Sequence, residues 1–470
     1  MFGLDTGLTI LLLFCLLAAC AFEFINGFHD TANAVATVIY TKSMKPQTAV
    51  IWSGIWNVIG VYVGGIAVAM GIIALLPLEM LIDANIYHNL AMILALILSA
   101  IIWNLGTWYF GIPCSSSHTL IGSIFGVGVA YMIVSGNHNV ALNWQKIEDV
   151  GLSLLISPLI GFGLAMFLML FLKKIVRNKK ALKKPPKKTA PPPLWIRSIL
   201  ILTSTSVSFS HGSNDGQKGV GLVMIILIAI APAFFAIDKS KDPQKIKASI
   251  ENIQTVISKV NINEMTIEDQ VSSNILIQKL DDFQKTMVGV TSYKNMPNKA
   301  FFELRKNILT ISKLAESLSK NKSRLLSKAD ITIVKAEIKE FKSTTEYAPD
   351  WVIVMIAISL GLGTMIGWKK IVVTIGENIG KTPLTYAQGA SAQLVAASTI
   401  LASSAFGLPV STTHVLSSGV AGTMAATNGL KNLKKKTMKN ILIAWFITLP
   451  VTVLLAGLLF IAFRWIFSMF

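Results

Sequence analysis

A short polar stretch inside an apolar run carries the side chains best suited to chemistry. It reads NGFHDTAN from Asn26 to Asn33 and holds His29 and Asp30, with Glu23 three residues before it. A charge at membrane depth is costly, so such side chains usually face a cavity or a partner and mark a functional site. Carboxylate and carboxamide oxygens ligate hard cations, and carboxylates also accept protons. The stretch therefore predicts a site for a cation or a proton.

A second stretch, SHGSNDGQKG at 210–219, repeats the first in part. Gly27, Asp30 and Asn33 of the first stretch match, in order, Gly212, Asp215 and Lys218 of the second. An ammonium has three donors and no acceptor, so Lys218 cannot ligate Na⁺, although it can neutralise a carboxylate. A fixed cation at this position favours a proton over Na⁺ as the ion that the site takes up, with His29 and the paired carboxylates as its carriers. The candidate supporting residues are Glu23, Asn26, Asn214 and Gln217.

Two further stretches share one pattern, GIPCSSSHTLIGSIFG at 111–126 and GLPVSTTHVLSSGVAG at 407–422, which lie 296 residues apart. Gly-x-Pro followed by hydroxyl residues is typical of a helix start. Hydroxyls and free backbone N–H groups suit a small oxyanion, and two facing starts would hold a tetrahedral anion from both sides. The candidate ligands for such an anion are Ser115, Ser116, Ser117, Ser411, Thr412 and Thr413, with His118 and His414 as supporting residues. Alone, each serine run would be a helix cap and each histidine a packing residue, but their recurrence favours a functional site.

The composition is that of a membrane protein that crosses the bilayer many times. Of 470 residues, 53% are hydrophobic and 14% are charged, and the mean hydropathy is +0.61. The net charge of +18 lies in loops between apolar runs, so membrane orientation explains it better than a nucleic-acid partner. Cys15, Cys20 and Cys114 lie in apolar runs and indicate neither a disulfide framework nor a metal site. The first run lacks a basic n-region, so we interpret it as a retained helix.

Ten apolar runs form two groups of five. They lie at about 8–40, 48–76, 87–110, 114–134, 150–172, 194–237, 348–367, 385–405, 409–428 and 438–467. Most have the roughly 20 residues that a helix needs to cross about 30 Å of hydrocarbon. The runs at 8–40 and 194–237 are longer, and each contains one of the polar stretches. We therefore expect both to be helices broken at those stretches.

Loop charge orients the chain. With all ten runs crossing and both termini outside, the inside loops are the basic ones, 41–47, 173–193, 368–384 and 429–437. The outside loops 77–86 and 135–149 then hold only Lys146. The polar segment 238–346 also lies outside in this orientation. Patterns such as FFELRKNILTISKLAESL predict a helical insert, and a flexible linker is the alternative.

Two motif types, each present once in each five-run half, indicate an internal duplication. An odd number of spans in each half makes the halves antiparallel, as in secondary transporters. The predicted fold is an all-α polytopic membrane protein of two inverted repeats, with broken helices or re-entrant hairpins and a helical extramembrane insert. The predicted domains are a first repeat at 1–172, a basic cytoplasmic linker at 173–193, a second repeat at 194–237 and 347–470, and the insert at 238–346.

The sequence resembles the PiT-type inorganic phosphate transporters, and most closely the bacterial low-affinity Pit carriers. The resemblance covers about 1–237 and 346–470 and is carried by NGFHDTANAVATVIYTKSMKP, IIWNLGTWYFGIPCSSSHTLIG, SHGSNDGQKGVGLVM, EYAPDW, GTMIGWKK and GLPVSTTHVLSSGVAGTM. It implies symport of inorganic phosphate with H⁺ or Na⁺, in some members as a metal–phosphate complex, at a site between inverted repeats. It also implies a homodimer in the inner membrane and no resident cofactor.

The resemblance also assigns roles to residues. Asp30, Asn33 and Asp215 match the cation-coupling signature, and the six hydroxyl residues match the phosphate-holding loops. The wider family has GANDxANA in both halves, whereas this chain has His29 in the first half and Gln217-Lys218 in the second. These departures argue against a sodium site in the second half.

These observations together predict a low-affinity phosphate symporter driven by H⁺, with the lipid bilayer and phosphate as its partners. Coupling to Na⁺ and transport of another oxyanion, such as sulfate or arsenate, remain open. A membrane enzyme with His118 or His414 as base and a serine nucleophile is disfavoured, because no orienting carboxylate is evident and the His–Ser set is duplicated. A receptor that reads a ligand through the insert would bind that ligand without flux.

Overall fold

The computed structural model describes residues 2–76, 80, 85–112, 114–135, 142–176, 191–260, 266–293, 296–320, 326–366, 372 and 379–469. Within these ranges the chain forms helices joined by turns, without a β-strand, so the predicted all-helical fold is confirmed. The chain divides into two compact units. The larger unit is Thr6–Ile226 with Ala348–Phe470, and the smaller unit is Met1–Asp5 with Leu227–Tyr347.

The helices are numbered in chain order over the described residues. The first part of the larger unit has α1 (Thr6–Tyr40), α2 (Pro46–Val63), α3 (Ala67–Ile73), α4 (Ile86–Tyr109), α5 (Ser116–Ser135), α6 (Trp144–Ile175), α7 (Leu194–His211), a π-helical segment (Gly212–Gly216) and most of α8 (Gln217–Ile230). The smaller unit has the end of α8, α9 (Pro232–Phe235), α10 (Pro243–Ile257), α11 (Ile267–Met287), α12 (Asn298–Lys320) and α13 (Lys328–Thr345). The larger unit resumes with α14 (Asp350–Met365), α15 (Tyr386–Ala405), α16 (Thr412–Asn428), a 3₁₀ turn (Leu430–Asn432) and α17 (Lys435–Phe467).

Five of the described helices, α1, α4, α5, α6 and α17, are long and apolar enough to cross a membrane. Two bent helix pairs, one of them α2 with α3, would raise the number to seven. Helices α15 and α16 are also buried over much of their length, but they are rich in Ser, Thr, Gly and Gln, which lowers their hydropathy. The sequence-based count of ten spans therefore stays a prediction.

The first long apolar run does not break at its polar stretch, contrary to the sequence-based expectation. It forms one continuous helix, α1, of 35 residues. The helix continues through the polar stretch, because Thr31 there donates its hydroxyl to the carbonyl of Gly27 (2.5 Å) and to that of Thr364 on α14 (2.9 Å). A side chain at Gly27 would collide with the Leu360 carbonyl, so glycine at this position allows α1 and α14 to approach closely.

The second long run is interrupted, but by a change of helix type. The π-helical segment Gly212–Gly216 joins α7 to α8 and carries Asp215. Such segments widen one turn and re-aim its side chains, and they are frequent at functional sites. The run 48–76 bends by 73° between α2 and α3, near Gly65, which has a positive φ of 77°.

The helices of the larger unit pair reciprocally between its two sequence halves. Helix α1 packs on α14, and α2 packs on α7 and the π-helical segment. In the same way α5 packs on α17, and α6 packs on α16. At the corresponding glycines, Gly126 lies against the Val453 carbonyl and Gly422 against the Phe162 carbonyl. Each contact between the two halves therefore has a matching contact in which the roles of the halves are exchanged.

The smaller unit has a core of its own, to which α10, α11, α12 and α13 contribute. The FFELRKNILTISKLAESL pattern lies in α12, which buries Phe301, Leu304 and Ile308. The buried Arg305 guanidinium donates to the carbonyls of Ala236 (2.7 Å) and Thr345 (3.0 Å), so it joins the two ends of this segment. Burial lowers the pKa of Arg305 to about 10, which still leaves it charged at neutral pH.

Several sequence-based predictions fall on residues outside the described ranges. These are most of the basic linker, at 177–190, most of the loops at 77–84, 136–141 and 367–378, and Pro113. Predictions that concern those positions, including the orientation by loop charge, stay predictions.

Candidate functional site

Helix α1 places five predicted polar residues in the interior of the larger unit. Glu23, Asn26, His29, Asp30 and Asn33 are all buried. Asn33 donates from Nδ2 to Asp30 Oδ1 at 3.1 Å, one helical turn away. These two residues therefore act as one local pair, which α1 holds ready for partners from other helices.

The π-helical segment and the start of α8 provide the matching pair from the second half. Lys218 Nζ lies 2.6 Å from Asp215 Oδ1, and both side chains are fully buried. Asp215 and Lys218 are three residues apart, as are Asp30 and Asn33. A buried ammonium needs a partner carboxylate, and for Lys218 that partner is Asp215, which lies on the same helical face.

The two predicted helix starts meet at these carboxylates. The Ser116 hydroxyl, at the start of α5, donates to Asp30 Oδ2 (3.3 Å) and lies 3.5 Å from Asp215 Oδ2. The Thr412 hydroxyl, at the start of α16, lies 3.4 Å and 3.5 Å from the same two oxygens. Two hydroxyls from helices 296 residues apart in sequence therefore converge on one carboxylate pair, Asp30 and Asp215.

The next hydroxyl of each start extends this correspondence. Thr413 donates to Asp30 Oδ1 and accepts from Asn33 Nδ2 at 3.1 Å. In the other half, Ser117 accepts from Lys218 Nζ and donates to the Val410 carbonyl at 2.7 Å. The set Asp30–Asn33–Thr413 thus matches the set Asp215–Lys218–Ser117, with an ammonium where the first set has a carboxamide.

The first hydroxyl of each start has a different position. Ser115 and Ser411 accept from the backbone N–H of His118 (3.2 Å) and His414 (3.1 Å), so they cap α5 and α16. His118 Nδ1 also lies 2.8 Å from the Ser115 hydroxyl. The two imidazole rings lie 4.5 Å apart, and Trp445 stacks on His414. The two histidines thus join the helix starts to each other, and among the described hydrogen bonds neither these histidines nor Ser115 and Ser411 contact Asp30 or Asp215.

Asn214 and Gln217 lie next to the carboxylate pair in sequence but bind other segments. Asn214 donates to the Ser404 hydroxyl (2.9 Å) and the Leu408 carbonyl (3.2 Å), so it holds the turn before α16. Gln217 donates to the Gly64 carbonyl at 2.6 Å and accepts from the Val68 N–H at 2.8 Å. It therefore fixes the bend between α2 and α3.

His211 was missed by the sequence reasoning and lies at the middle of the site. Its Nε2 is 3.6 Å from Asp30 Oδ2 and 3.4 Å from Asp215 Oδ2. Its Nδ1 is 2.8 Å from Oδ1 of Asn57 on α2, which orients the ring. The available signal was its place in SHGSND, four residues before Asp215 and directly before the repeated glycine Gly212.

His29 lies beside the carboxylate pair without entering it. Its Nδ1 is 3.9 Å from Asp30 Oδ1, and its Nε2 is 3.4 Å from the Thr107 hydroxyl on α4. Farther along α1, Asn26 donates to Glu23 Oε2 at 3.2 Å. The structure thus brings Asp30, Asn33, Asp215, Lys218, Ser116, Ser117, Thr412 and Thr413 together and places the other predicted residues around them.

Comparison with known proteins identifies the family to which this arrangement belongs. The model of the PHO4 phosphate transporter family matches residues 26–456. The chain belongs to the phosphate transporter family.

Relatives within the phosphate transporter family extend over nearly the whole chain. The chain is 41% identical to the low-affinity inorganic phosphate transporter PitA and 40% identical to PitB, both of Escherichia coli (strain K12), and each match covers 97% of both proteins. It is 29% identical to a probable low-affinity inorganic phosphate transporter of Bacillus subtilis (strain 168), over 98% of both. Family membership and the apolar helices together make the chain a multi-pass membrane protein.

A solved structure shares the fold. The sodium-dependent phosphate transporter superposes with a TM-score of 0.56 at 20% sequence identity, covering 98% of this chain and 99% of that one. At this identity the match supports the fold alone.

In this family member, the central groups are suited to an anion and a cation together. The ligand atoms of Asp30, His211 and Asp215 all lie within 4.8 Å of one another, a spacing that one cation could bridge. The hydroxyls of Ser116 and Thr412 lie next to the carboxylate oxygens of Asp30 and Asp215. Both hydroxyls belong to helix starts, which favour an anion. Two carboxylates, one ammonium and one imidazole in a buried site make its net charge sensitive to a single added cation.

Proposed function

We propose that the protein is a low-affinity inorganic phosphate symporter and that the proton is its coupling ion. The observation that carries the proposal is the convergence of Ser116 and Thr412, from two related helix starts, on the carboxylate pair Asp30 and Asp215. The relatives named above are called phosphate transporters, which supports transport over enzymatic activity.

The phosphate is bound by the helix starts in this proposal. Ser116, Ser117, Thr412 and Thr413 offer hydroxyls, and the first turns of α5 and α16 offer N–H groups and the positive ends of their helix dipoles. Lys218 adds a fixed positive charge within the same cluster. Ser115 and Ser411 shape the two starts as their caps and contribute indirectly.

Coupling follows from the competition for the hydroxyl protons. In the structure Ser116 and Thr412 donate to carboxylate oxygens, which leaves fewer donors for an anion. A proton or a cation that neutralises a carboxylate weakens it as an acceptor and frees those hydroxyls for phosphate. Cation and phosphate then favour each other's binding, and this reciprocal coupling is what symport requires.

Lys218 is the reason to prefer the proton. It takes the place in the second half that Asn33 takes in the first, and it is paired with Asp215 at 2.6 Å. An ammonium there neutralises the carboxylate permanently, whereas Na⁺ would neutralise it only while it is bound. Coupling to Na⁺ through Asp30 and Asn33 is the alternative, and a divalent cation that accompanies the phosphate would use the Asp30–His211–Asp215 spacing.

The inverted-repeat architecture belongs to the same proposal. The reciprocal pairing of α1 with α14 and α2 with α7, and of α5 with α17 and α6 with α16, supports two related halves that interlock around the site. A homodimer in the inner membrane, with both termini outside, completes the proposal. Alternating access would then arise as one half moves against the other around a fixed site.

Uptake of radiolabelled phosphate into proteoliposomes tests the proposal. We expect uptake under an inward proton gradient, no response to an Na⁺ gradient at equal pH, and measurable differences with and without divalent metal. Protein-free vesicles and vesicles loaded with a proton ionophore are the controls. Unlabelled sulfate and arsenate test the anion, since full competition by sulfate would favour a general oxyanion carrier. Absence of phosphate flux under both gradients would refute the proposed function.

A further inference from the structure

Glu23 is a buried acid that the proposed phosphate site does not use. Its side chain is 0% exposed on α1. Oε2 accepts from Asn26 Nδ2 at 3.2 Å, whereas Oε1 has no hydrogen-bond partner among the residues that the structure describes. A carboxylate buried in this way is costly unless it is paired or protonated.

The titratable groups that face Glu23 already have other partners. They are Asp215, Lys218 and His211, with Cys20 on its own helix. Lys218 donates to Asp215 Oδ1 at 2.6 Å, and His211 lies between Asp215 and Asp30. No described cation lies within ion-pair distance of Glu23.

The helices packed against this part of α1 add no counter-ion. Helix α14 carries Asp350 in its first turn and otherwise no titratable side chain. Helix α4 has none between His88 and Tyr109. A neutral, protonated Glu23 is therefore the form that its surroundings accommodate.

The position of Glu23 relates it to the site. It lies seven residues before Asp30, which is two turns or about 10.5 Å along the helix axis and on the same face. Its carboxyl group rests against Gly219, where a Cβ would lie 2.6 Å from Oε1. Gly219 directly follows Lys218, so the backbone of α8 connects this carboxyl group to the Lys218–Asp215 pair. The counterpart position in the second half, 185 residues on, is Ser208, which cannot carry a proton in this way.

We propose that Glu23 carries the coupling proton. A proton from water on the acidic side forms the O–H bond of Glu23, and the neutral acid crosses together with bound phosphate. On the other side the O–H bond breaks and the proton returns to water. The ionised Glu23 can then attract Lys218 away from Asp215, which alters the site after release. This inference rests on the proposed phosphate symport and adds the residue that holds the proton. While Glu23 is protonated, Lys218 stays on Asp215 and weakens it as an acceptor for the Ser116 and Thr412 hydroxyls, so the proton acts on the phosphate site through Lys218.

The test is Glu23→Gln in the full-length protein, which fixes the residue in a neutral form of similar shape. The variant should lose phosphate accumulation driven by a proton gradient, down to the level of protein-free vesicles. It should keep the wild-type rate of phosphate exchange at equal pH and equal phosphate on both sides, because exchange needs no deprotonation. Glu23→Asp should keep part of the proton-driven uptake, and Ser208→Ala should keep both activities.

Two transport results would overturn the inference. One is wild-type accumulation by Glu23→Gln under the proton gradient. The other is equal loss of accumulation and exchange, which would make Glu23 a structural or phosphate-binding residue. Infrared difference spectroscopy gives a readout without transport, because the band of a protonated carboxyl group should be present at neutral pH in the wild type and missing in Glu23→Gln. A wild type without any phosphate exchange would refute the proposed function, and an infrared difference of zero would refute the role of Glu23 separately.

Discussion

Lys218 and Asn33 take matched places in the site and yet differ in chemistry. Asn33 bridges Asp30 and Thr413, whereas Lys218 bridges Asp215 and Ser117. A carboxamide has an oxygen for a metal cation, and an ammonium has none. Corresponding positions of the two halves therefore meet, although Ser117 donates to the Val410 carbonyl where Thr413 donates to Asp30, and only the first half offers a carboxamide oxygen to a cation. This difference can be tested one residue at a time.

The first prediction concerns Lys218→Asn. The substitution leaves Asp215 without its buried counter-charge, so proton-driven uptake should be lost and stability should fall by about 3–5 kcal/mol unless a cation enters. Na⁺ should then restore both stability and uptake, which thermal unfolding and flux measurements with and without Na⁺ will detect. Na⁺-independent, wild-type uptake by the variant would contradict the role assigned to Lys218.

The second prediction concerns the carboxylate pair. Asp30→Asn removes the negative charge and one of the two acceptor oxygens that Thr413, Thr412 and Ser116 contact, and it should abolish coupled uptake while the protein still inserts into the membrane. Asp215→Asn should also abolish uptake, with a lower unfolding temperature because Lys218 loses its partner. The exposed Asp350→Asn is the matched control and should transport normally. Wild-type rates in both buried variants would remove Asp30 and Asp215 from the site.

At the scale of elements, the starts of α5 and α16 combine two roles that the sequence presents as one hydroxyl run. The first hydroxyl of each run, Ser115 or Ser411, caps its helix. The second and third hydroxyls point to the carboxylates, to Asn33 or to Lys218. The role of each hydroxyl depends on its position at the helix start. The first precedes the helix and binds a free backbone N–H group, whereas the next two lie in the first turn and contact side chains of other helices.

The third prediction separates these roles. Replacing Ser116 and Ser117, or Thr412 and Thr413, by alanine should raise the KM for phosphate by about tenfold or more, since each hydrogen bond to a charged group contributes roughly 1.5–3 kcal/mol. Ser115→Ala and Ser411→Ala should instead cost about 1 kcal/mol of stability with little change in KM. Uptake kinetics and thermal unfolding of the four variants measure both effects. An unchanged KM in both double variants would leave these hydroxyls without a role in phosphate binding.

The sequence predicted those site residues whose motifs recur in both halves of the chain. The recurrence of Pro-hydroxyl-His and of Gly–Asp spacing pointed to the residues that the structure brings together. His211 does not recur, because its counterpart is Asn26, so the comparison of halves could not select it. The expected break in α1 was wrong for a related reason. Hydrophobicity marks a polar stretch, but whether the backbone leaves the helix depends on partners such as Thr364, which are distant in sequence.

At the scale of the whole molecule, helix packing and membrane orientation depend on different properties of the chain. The reciprocal pairing of helices between the two halves of the larger unit is a tertiary property that one-dimensional hydropathy cannot reveal. The helices of the smaller unit could be predicted from patterns such as FFELRKNILTISKLAESL, whereas the core that they form together is again a tertiary property. Loop charge, in contrast, predicts which side of the membrane each connection occupies, because the positive-inside rule acts on sequence directly.

The last prediction concerns this orientation. The basic linker 173–193 should be cytoplasmic and the segment 238–346 external, because nine Lys/Arg in a short connection strongly oppose translocation. In intact cells, Thr189→Cys should therefore resist a membrane-impermeant maleimide, and Asn274→Cys on α11 should react with it. Both variants are made with Cys15, Cys20 and Cys114 replaced, and labelling after permeabilisation shows that Thr189→Cys is reactive once exposed. Reaction of Thr189→Cys alone would reverse the orientation, and reaction of both in intact cells would mean that the number of spans between them is even.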